Sequence, residues 1–97
     1  MTTLHIVAVL YAKAGQEARL RTRLAALVEP SRQEHGNLRY ELLLDDADPR
    51  RFVFVEMWEN AQSHAHHHNE GPHILAFQAR DWDAVEKVDV YRLTQIA

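Results

Sequence analysis

The sequence predicts an α+β domain in which a four-stranded antiparallel sheet carries its helices on one face. Some segments alternate apolar and polar residues with a period of two, whereas others repeat apolar residues at helical spacing. Polar turns separate these segments. The chain has 97 residues, of which 46% are apolar, and this is enough for one core. We therefore expect residues 1–97 to form a single domain.

The first part of the chain has the pattern strand, helix, strand. Residues 4–13 are rich in β-branched and aromatic side chains and predict a first strand. From Gln16 onward, apolar residues at helical spacing predict an amphipathic helix. Pro30 should kink or interrupt this helix and Gly36 should end it. Residues 38–44 then alternate as a strand with one solvated face.

The second part repeats strand, helix, strand. The predicted elements are a polar turn over 45–49, a strand over 51–58, a helix over about 61–69 capped by Asn60, a helical piece over 74–80 and a strand over about 85–95. The order β-α-β-β-α-β is the ferredoxin-like arrangement. Its right-handed crossovers place both helices on the same face of the sheet.

The strand parity also predicts a partner. In the first and third strands, both faces carry apolar side chains; Val7, Val9, Val53 and Val55 oppose Ile6, Leu10 and Phe54. Helices can cover one face only, so the other would expose a large apolar patch. We expect a sheet-to-sheet homodimer, the alternative being cover by a loop or by the C-terminal segment.

Composition excludes several classes of function. The chain has no cysteine, which excludes disulfides, thiolate catalysis and cysteine-ligated metal clusters. A net charge of −3 disfavours nucleic acid as a partner. The longest apolar run, residues 6–12, is far shorter than the roughly 20 residues of a membrane span, and the first residues lack a basic leader pattern. We expect a soluble cytoplasmic protein without membrane partners.

The candidate site lies at the end of the third strand. Phe54, Glu56 and Trp58 share one face of this strand, which places a carboxyl group between two large aromatic rings. If Glu56 is buried there, its pKa should rise and it needs a partner. It could orient a histidine or a substrate hydroxyl; alternatively, it is a structural residue bonded to backbone amides near the next helix.

Histidines are the compositional oddity, since five of the seven fall between His64 and His73. Neutral imidazole suits the acceptance of a proton from an acidic phenol or ketone near pH 7. We expect His67 and His73 to face a pocket. His64 and His66 are more typical of a polar helix surface, although His64 stays among the candidate substrate contacts.

The order and spacing of several short motifs resembles the antibiotic biosynthesis monooxygenase family. The motifs are Glu34-x-Gly36, Tyr40 with Leu42, Asp45-x-x-x-Pro49-x-x-Phe52, Glu56-x-Trp58, His67, and Pro72-His73 with Phe77. The resemblance spans nearly the whole chain and implies a dimeric α+β barrel with a pocket between sheet and helices in each subunit. It also implies oxidation of quinol- or anthrone-type aromatic substrates by O2 without metal, flavin or haem.

Carried over residue by residue, the resemblance gives a catalytic and a substrate-binding set. The catalytic candidates are His67, Trp58 and Glu56, and the substrate-binding candidates are Phe54, His73, Phe77 and His64. Two departures matter. Phe54 stands where actinorhodin-pathway members have asparagine, which weakens the case for the same anthrone chemistry, and Ala8 stands where haem-degrading relatives have asparagine, which disfavours haem degradation.

Three other functions stay open on the sequence. His64, His68 and His73 could ligate Zn²⁺ or another divalent ion, although a histidine pair at i,i+4 is a weak motif. The domain could bind a small aromatic metabolite without catalysis. It could also act as an isomerase that moves protons without oxygen.

Overall fold

The computed structural model describes residues 3–97. Its elements are β1 (Leu4–Ala12), α1 (Glu17–Ala25), α2 (Val28–Arg32), β2 (Asn37–Leu44), β3 (Arg51–Trp58), α3 (Ala61–Glu70), α4 (Pro72–Arg80) and β4 (Val85–Leu93), with a 3-10 turn at Trp82–Ala84. The strands form one antiparallel sheet in the order β2-β3-β1-β4. The ferredoxin-like α+β prediction is confirmed.

The core lies between the sheet and the helices. In β1 and β3 every second residue is buried, and cross-strand pairing of Ile6 with Glu56 and Ala8 with Phe54 aligns the two buried rows on one face. Leu20, Leu24 and Phe77 come from the helices to meet this face. The alternation predicted for the strands therefore decides which residues can reach a site between sheet and helices.

The predicted first helix is two helices, with the break at Ala26 and Leu27 instead of at Pro30 itself. Proline has no N–H to bond to the carbonyl four residues earlier, which is that of Ala26. The chain starts a new helix at Val28, so that Pro30 lies in the first turn, where an N–H needs no partner.

Gly36 reverses the chain between α2 and β2. Its φ of 83° lies in the left-handed region that glycine adopts at little cost. A Cβ atom at this position would also overlap the side chain of Ser63. The glycine therefore lets the loop after α2 pass close to the start of α3.

The second helical region begins as predicted. The side chain of Asn60 accepts a hydrogen bond of 2.8 Å from the backbone N–H of Ser63, which confirms the N-cap. Gly71 separates α3 from α4, and Pro72 is the first residue of α4. This break brings His67 and His73 to adjacent positions although they lie on different helices.

The other face of the sheet has no cover among residues 3–97. Val7, Val9, Val53, Val55 and Met57 lie there half-buried, and Leu43 and Tyr91 are each 50% exposed. Residues 94–97 are themselves exposed, so the C-terminal segment does not cover this face. None of the helices in the described part of the chain is long and apolar enough to cross a membrane.

Candidate active site

A cavity of about 370 Å³ lies between the sheet and the helices. Its walls are mostly apolar, and its polar side chains come from β2, β3, α3, α4 and β4. The lining includes Ile6, Ala8, Leu10, Leu24, Leu27, Tyr40, Phe54, Glu56, His64, His67, His68, Ile74, Phe77, Gln78, Trp82, Val88, Val90 and Arg92. The volume falls in the range of sites for small molecules.

The cavity is deep on one side and open on the other. Tyr40, Phe54, Glu56 and His67, on β2, β3 and α3, are each at most 5% exposed. On the edge strand β4, Val90 is 54% exposed although it points to the helix side of the sheet. The helices therefore leave the β4 edge uncovered, and this edge is the mouth of the cavity.

A second depression has a similar volume but different chemistry. It measures about 340 Å³ and is lined by residues of α1, α2 and β2 together with Phe52. Its charged groups are Arg21 and Arg32, and within residues 3–97 no histidine or carboxyl group contributes to its wall. Groups able to exchange protons near pH 7 line the histidine-bearing cavity, which is the better candidate site.

His67 connects that cavity to a carboxylate behind it. Its side chain is 5% exposed, and Nδ1 lies 2.5 Å from Oε1 of Glu34, in the loop after α2. Burial lowers the pKa of His67 and Glu34 partly opposes this, and the net lowering favours the neutral ring. With Nδ1–H donating to the carboxylate, Nε2 is the nitrogen left for a molecule in the cavity.

The Glu34 carboxylate is part of a larger polar group, which we call the Glu34 cluster: Ser31, Glu34, His67 and His73. Nε2 of His73 lies 2.9 Å from Oγ of Ser31 and 3.3 Å from Oε1 of Glu34. A Cβ atom on Gly71 would lie 3.3 Å from Oε2 of Glu34 and 2.6 Å from the carbonyl oxygen of His67. The glycine therefore allows the α3–α4 junction to approach the carboxylate closely.

Glu56 and Trp58 form a separate pair at the deep end of the cavity. Nε1 of Trp58 donates a hydrogen bond of 2.9 Å to Oε1 of Glu56. Burial raises the pKa of Glu56 to about 7, although the bond from Trp58 acts against this. Glu56 thus bonds to an indole, where the sequence suggested a histidine or backbone amides.

Trp58 itself lies behind the cavity. Its side chain has no solvent exposure, and its ring centroid is 4.7 Å from that of His67 and 6.5 Å from that of Tyr40. The indole therefore contacts the imidazole through its ring and the carboxyl group through its N–H. It supports two side chains that face the cavity.

The remaining candidates divide between the cavity and the cluster. Phe54, Phe77 and His64 line the cavity, and burial lowers the pKa of His64 to about 4. His73 belongs to the Glu34 cluster instead and is absent from the cavity wall. The ring of His68 stacks on that of His64 at 6.2 Å.

Two polar residues near the site carried no role in the sequence-based prediction. Glu34 is 33 positions away from His67, so no local pattern relates them. Arg92 lies in the cavity wall on β4, opposite Ile6. Its position could have been found from parity, because Val88, Val90 and Arg92 alternate along the last strand.

Comparisons with known proteins agree with this architecture. A sequence model of the family described as antibiotic biosynthesis monooxygenase matches residues 3–80. Among curated proteins, no match was found.

Several solved structures superpose over almost the whole chain. PA3566 from Pseudomonas aeruginosa is 34% identical with a TM-score of 0.92, and the match covers 100% of this chain and 97% of that one. SO0527 from Shewanella oneidensis is 30% identical with a TM-score of 0.91, covering 99% and 94%. A structure described as an antibiotic biosynthesis monooxygenase is 24% identical with a TM-score of 0.88, covering 97% and 99%, and supports the fold alone.

Proposed function

The chain belongs to the antibiotic biosynthesis monooxygenase family, and from this premise we propose that it oxidises a quinol- or anthrone-type aromatic substrate with O2 without a bound cofactor. The observation that carries the proposal is the position of His67. One edge of its ring is held by Glu34 and the ring lines a largely apolar cavity.

The proposed reaction starts with a proton transfer. Nε2 of His67 accepts the acidic proton of the substrate, and Glu34 stabilises the imidazolium that forms. The resulting electron-rich anion passes an electron to O2, and recombination of the two radicals forms a carbon–oxygen bond. For an anthrone, one oxygen atom then replaces the two methylene hydrogens as a carbonyl, and the other leaves as water.

Glu56 has a second role in this scheme. With a pKa of about 7 it is present in both protonation states near neutral pH. Its protonated form can supply a proton to the oxygen atom that leaves as water. We therefore propose His67 as the base and Glu56 as the acid, with Trp58 as a residue that positions both.

The lining of the cavity supports the proposal of a planar aromatic substrate. Phe54, Phe77 and Tyr40 supply aromatic wall, and Ile6 and Leu10 supply aliphatic wall. Such walls exclude water from a reactive anion, which limits side reactions.

We also propose that the protein works as a homodimer joined through the uncovered sheet face. That face carries valine and methionine along two central strands, and no described segment of this chain covers it. A second copy would present the same apolar rows, as a two-fold interface requires.

Oxygen consumption tests the reaction. Purified protein is incubated with a panel of quinols and anthrones, O2 uptake is recorded, and products formed under ¹⁸O2 are analysed by mass spectrometry. The proposal expects one labelled oxygen atom in the organic product and the other in water. Binding without uptake would instead indicate a binding protein, and turnover without O2 would indicate an isomerase.

Sedimentation velocity tests the dimer. Val55→Lys places a charge in the middle of the uncovered face and should convert a dimer to a monomer. Leu75→Lys, on the exposed surface of α4, is the matched control and should stay dimeric. A monomeric wild-type protein at micromolar concentration would contradict the proposal.

A further inference from the structure

The Glu34 cluster combines donor atoms that ligate metals. Oε1 of Glu34, Nδ1 of His67 and Nε2 of His73 all lie within 4.8 Å of one another. They come from three separate segments, namely the loop after α2, helix α3 and helix α4. Two imidazole nitrogens and one carboxylate oxygen are a common ligand set for divalent transition metals.

The spacing of these atoms is close to what a metal requires. Tetrahedral zinc with bonds of about 2.0–2.2 Å holds its ligand atoms about 3.3–3.6 Å apart. The distance from Oε1 of Glu34 to Nε2 of His73 is 3.3 Å, whereas that to Nδ1 of His67 is 2.5 Å. To bind an ion, Nδ1 of His67 and Oε1 of Glu34 must therefore move apart by about 1 Å.

The site is also reachable from solvent, and a polar group lies beside it. The side chains of Glu34 and His73 are each 16% exposed, so the cluster meets solvent on the side away from the cavity. Oγ of Ser31 lies 2.9 Å from the ligating nitrogen of His73 and can hydrogen-bond a water in the fourth position.

We propose that Glu34, His67 and His73 form a binding site for a divalent transition-metal ion such as Zn²⁺. This differs from the ligand set suggested by the sequence, because His64 and His68 face the cavity while His73 faces Glu34. The two sets share His73 alone, so substitution can distinguish them.

Metal binding would change what His67 offers to the cavity, a consequence that rests on the proposed function. A neutral imidazole ligated through Nδ1 carries its proton on Nε2. The nitrogen proposed to accept the substrate proton then becomes a donor. The ion would act as an inhibitor that competes with catalysis without occupying the cavity.

Cobalt absorption measures the binding without any substrate. The protein is prepared without immobilised-metal chromatography, treated with chelator, and titrated with Co²⁺, whose visible d–d bands report tetrahedral nitrogen and oxygen ligands. We expect one Co²⁺ per chain, displaced by Zn²⁺. Glu34→Gln and His73→Gln should each weaken binding by more than about 100-fold, since loss of an outer partner alone costs 10- to 100-fold.

Matched variants decide which histidines bind. His66→Gln changes an exposed histidine on the same helix and should leave the titration unchanged. His64→Gln should also leave it unchanged; loss of binding there, with retention in His73→Gln, would overturn the proposal in favour of the cavity histidines. Circular dichroism confirms that each variant is folded, and His73→Asn replaces His73→Gln if that variant does not fold.

The metal site and the proposed function can be refuted independently of each other. Tetrahedral Co²⁺ bands in the loaded protein, together with no oxygenase activity in the chelator-treated protein, would support the metal site and refute the proposed function. Oxygenase activity with no metal-dependent absorption, and no rise in Tm with Zn²⁺, would refute the metal site alone.

Discussion

Glu34 and Glu56 are the carboxyl partners of two neighbouring rings, those of His67 and Trp58, and have different surroundings. Glu34 lies near the surface and contacts two imidazoles through one oxygen atom. Glu56 lies on the sheet, is 5% exposed, and has one indole N–H as its partner. The same functional group thus positions a ring in one place and holds a proton in the other. The partners and the burial of each carboxyl group decide its role.

Removing the imidazole of His67, the partner of Glu34, should have the largest effect on catalysis. His67→Ala eliminates the proposed base and should lower kcat/KM for a quinol or anthrone by about 10²- to 10⁴-fold. Oxygen uptake measures it, with the exposed His66→Ala as control. Equal rates in wild type and His67→Ala would show that the base lies elsewhere.

Neutralising Glu56 tests whether this carboxyl group holds a proton in the folded protein. Its pKa is raised from 4.5 to about 7 on folding, so the native state binds more protons than the unfolded state between these values. The stability contribution of Glu56 is therefore largest below about pH 4.5 and falls as pH rises towards 7.

Glu56→Gln keeps an acceptor for the indole but cannot ionise. Relative to this variant, the wild type should lose up to about 3 kcal/mol of unfolding free energy between pH 4.5 and 8. Urea unfolding at several pH values measures the difference, and the opposite pH effect of His64 cancels because both proteins contain it. A difference that is constant with pH would contradict the raised pKa.

Neutralising Glu34 tests whether this carboxylate positions the ring of His67. Glu34→Gln should lower kcat by about 10- to 100-fold, since an uncharged partner holds and stabilises the imidazolium less well. Because Glu34 raises the pKa of His67, the acidic limb of the pH–rate profile should move to lower pH. Glu29→Gln, on the exposed side of α2, is the control. A drop in rate without the pH shift would indicate a structural role only.

Removing the indole N–H of Trp58 should have the smallest effect of these changes. Trp58→Phe removes the hydrogen bond to Glu56 and should cost about 1 kcal/mol in unfolding free energy. It should also raise the pKa of Glu56 further, which moves the pH dependence described above to higher values. Trp82→Phe, at a ring that is 44% exposed, should do neither. We choose phenylalanine because alanine would leave a cavity in the core at this fully buried position.

Local patterns predicted the elements well. The bounds of β3 and the cap of α3 follow from alternation over 51–58 and from the side-chain chemistry of Asn60, and both are confirmed. The break of the first helix was expected, but its place depends on which carbonyl loses its partner, four residues before Pro30. Sequence periodicity does not resolve such a shift.

The site was less predictable because it depends on contacts distant in sequence. Parity placed Phe54 and Glu56 on one face of the third strand, and in the structure this is the face on which they line the cavity. The same parity includes Trp58, yet helix packing buries that ring behind the wall. The pairing of Glu34 with His67 is fixed by the close approach at Gly71, a tertiary contact without a signal in either segment.

The open edge at β4 affects which molecules the cavity can accept. The proton-exchanging groups Glu56 and His67 lie at the closed end, whereas Val88 and Val90 border solvent at the mouth. In the proposed function, the ring that gives up its proton would therefore enter first, and the rest of the substrate would extend past Val88 and Val90 into solvent. The choice of substrate would then depend on the acidity of the inserted ring and hardly at all on the length of the molecule.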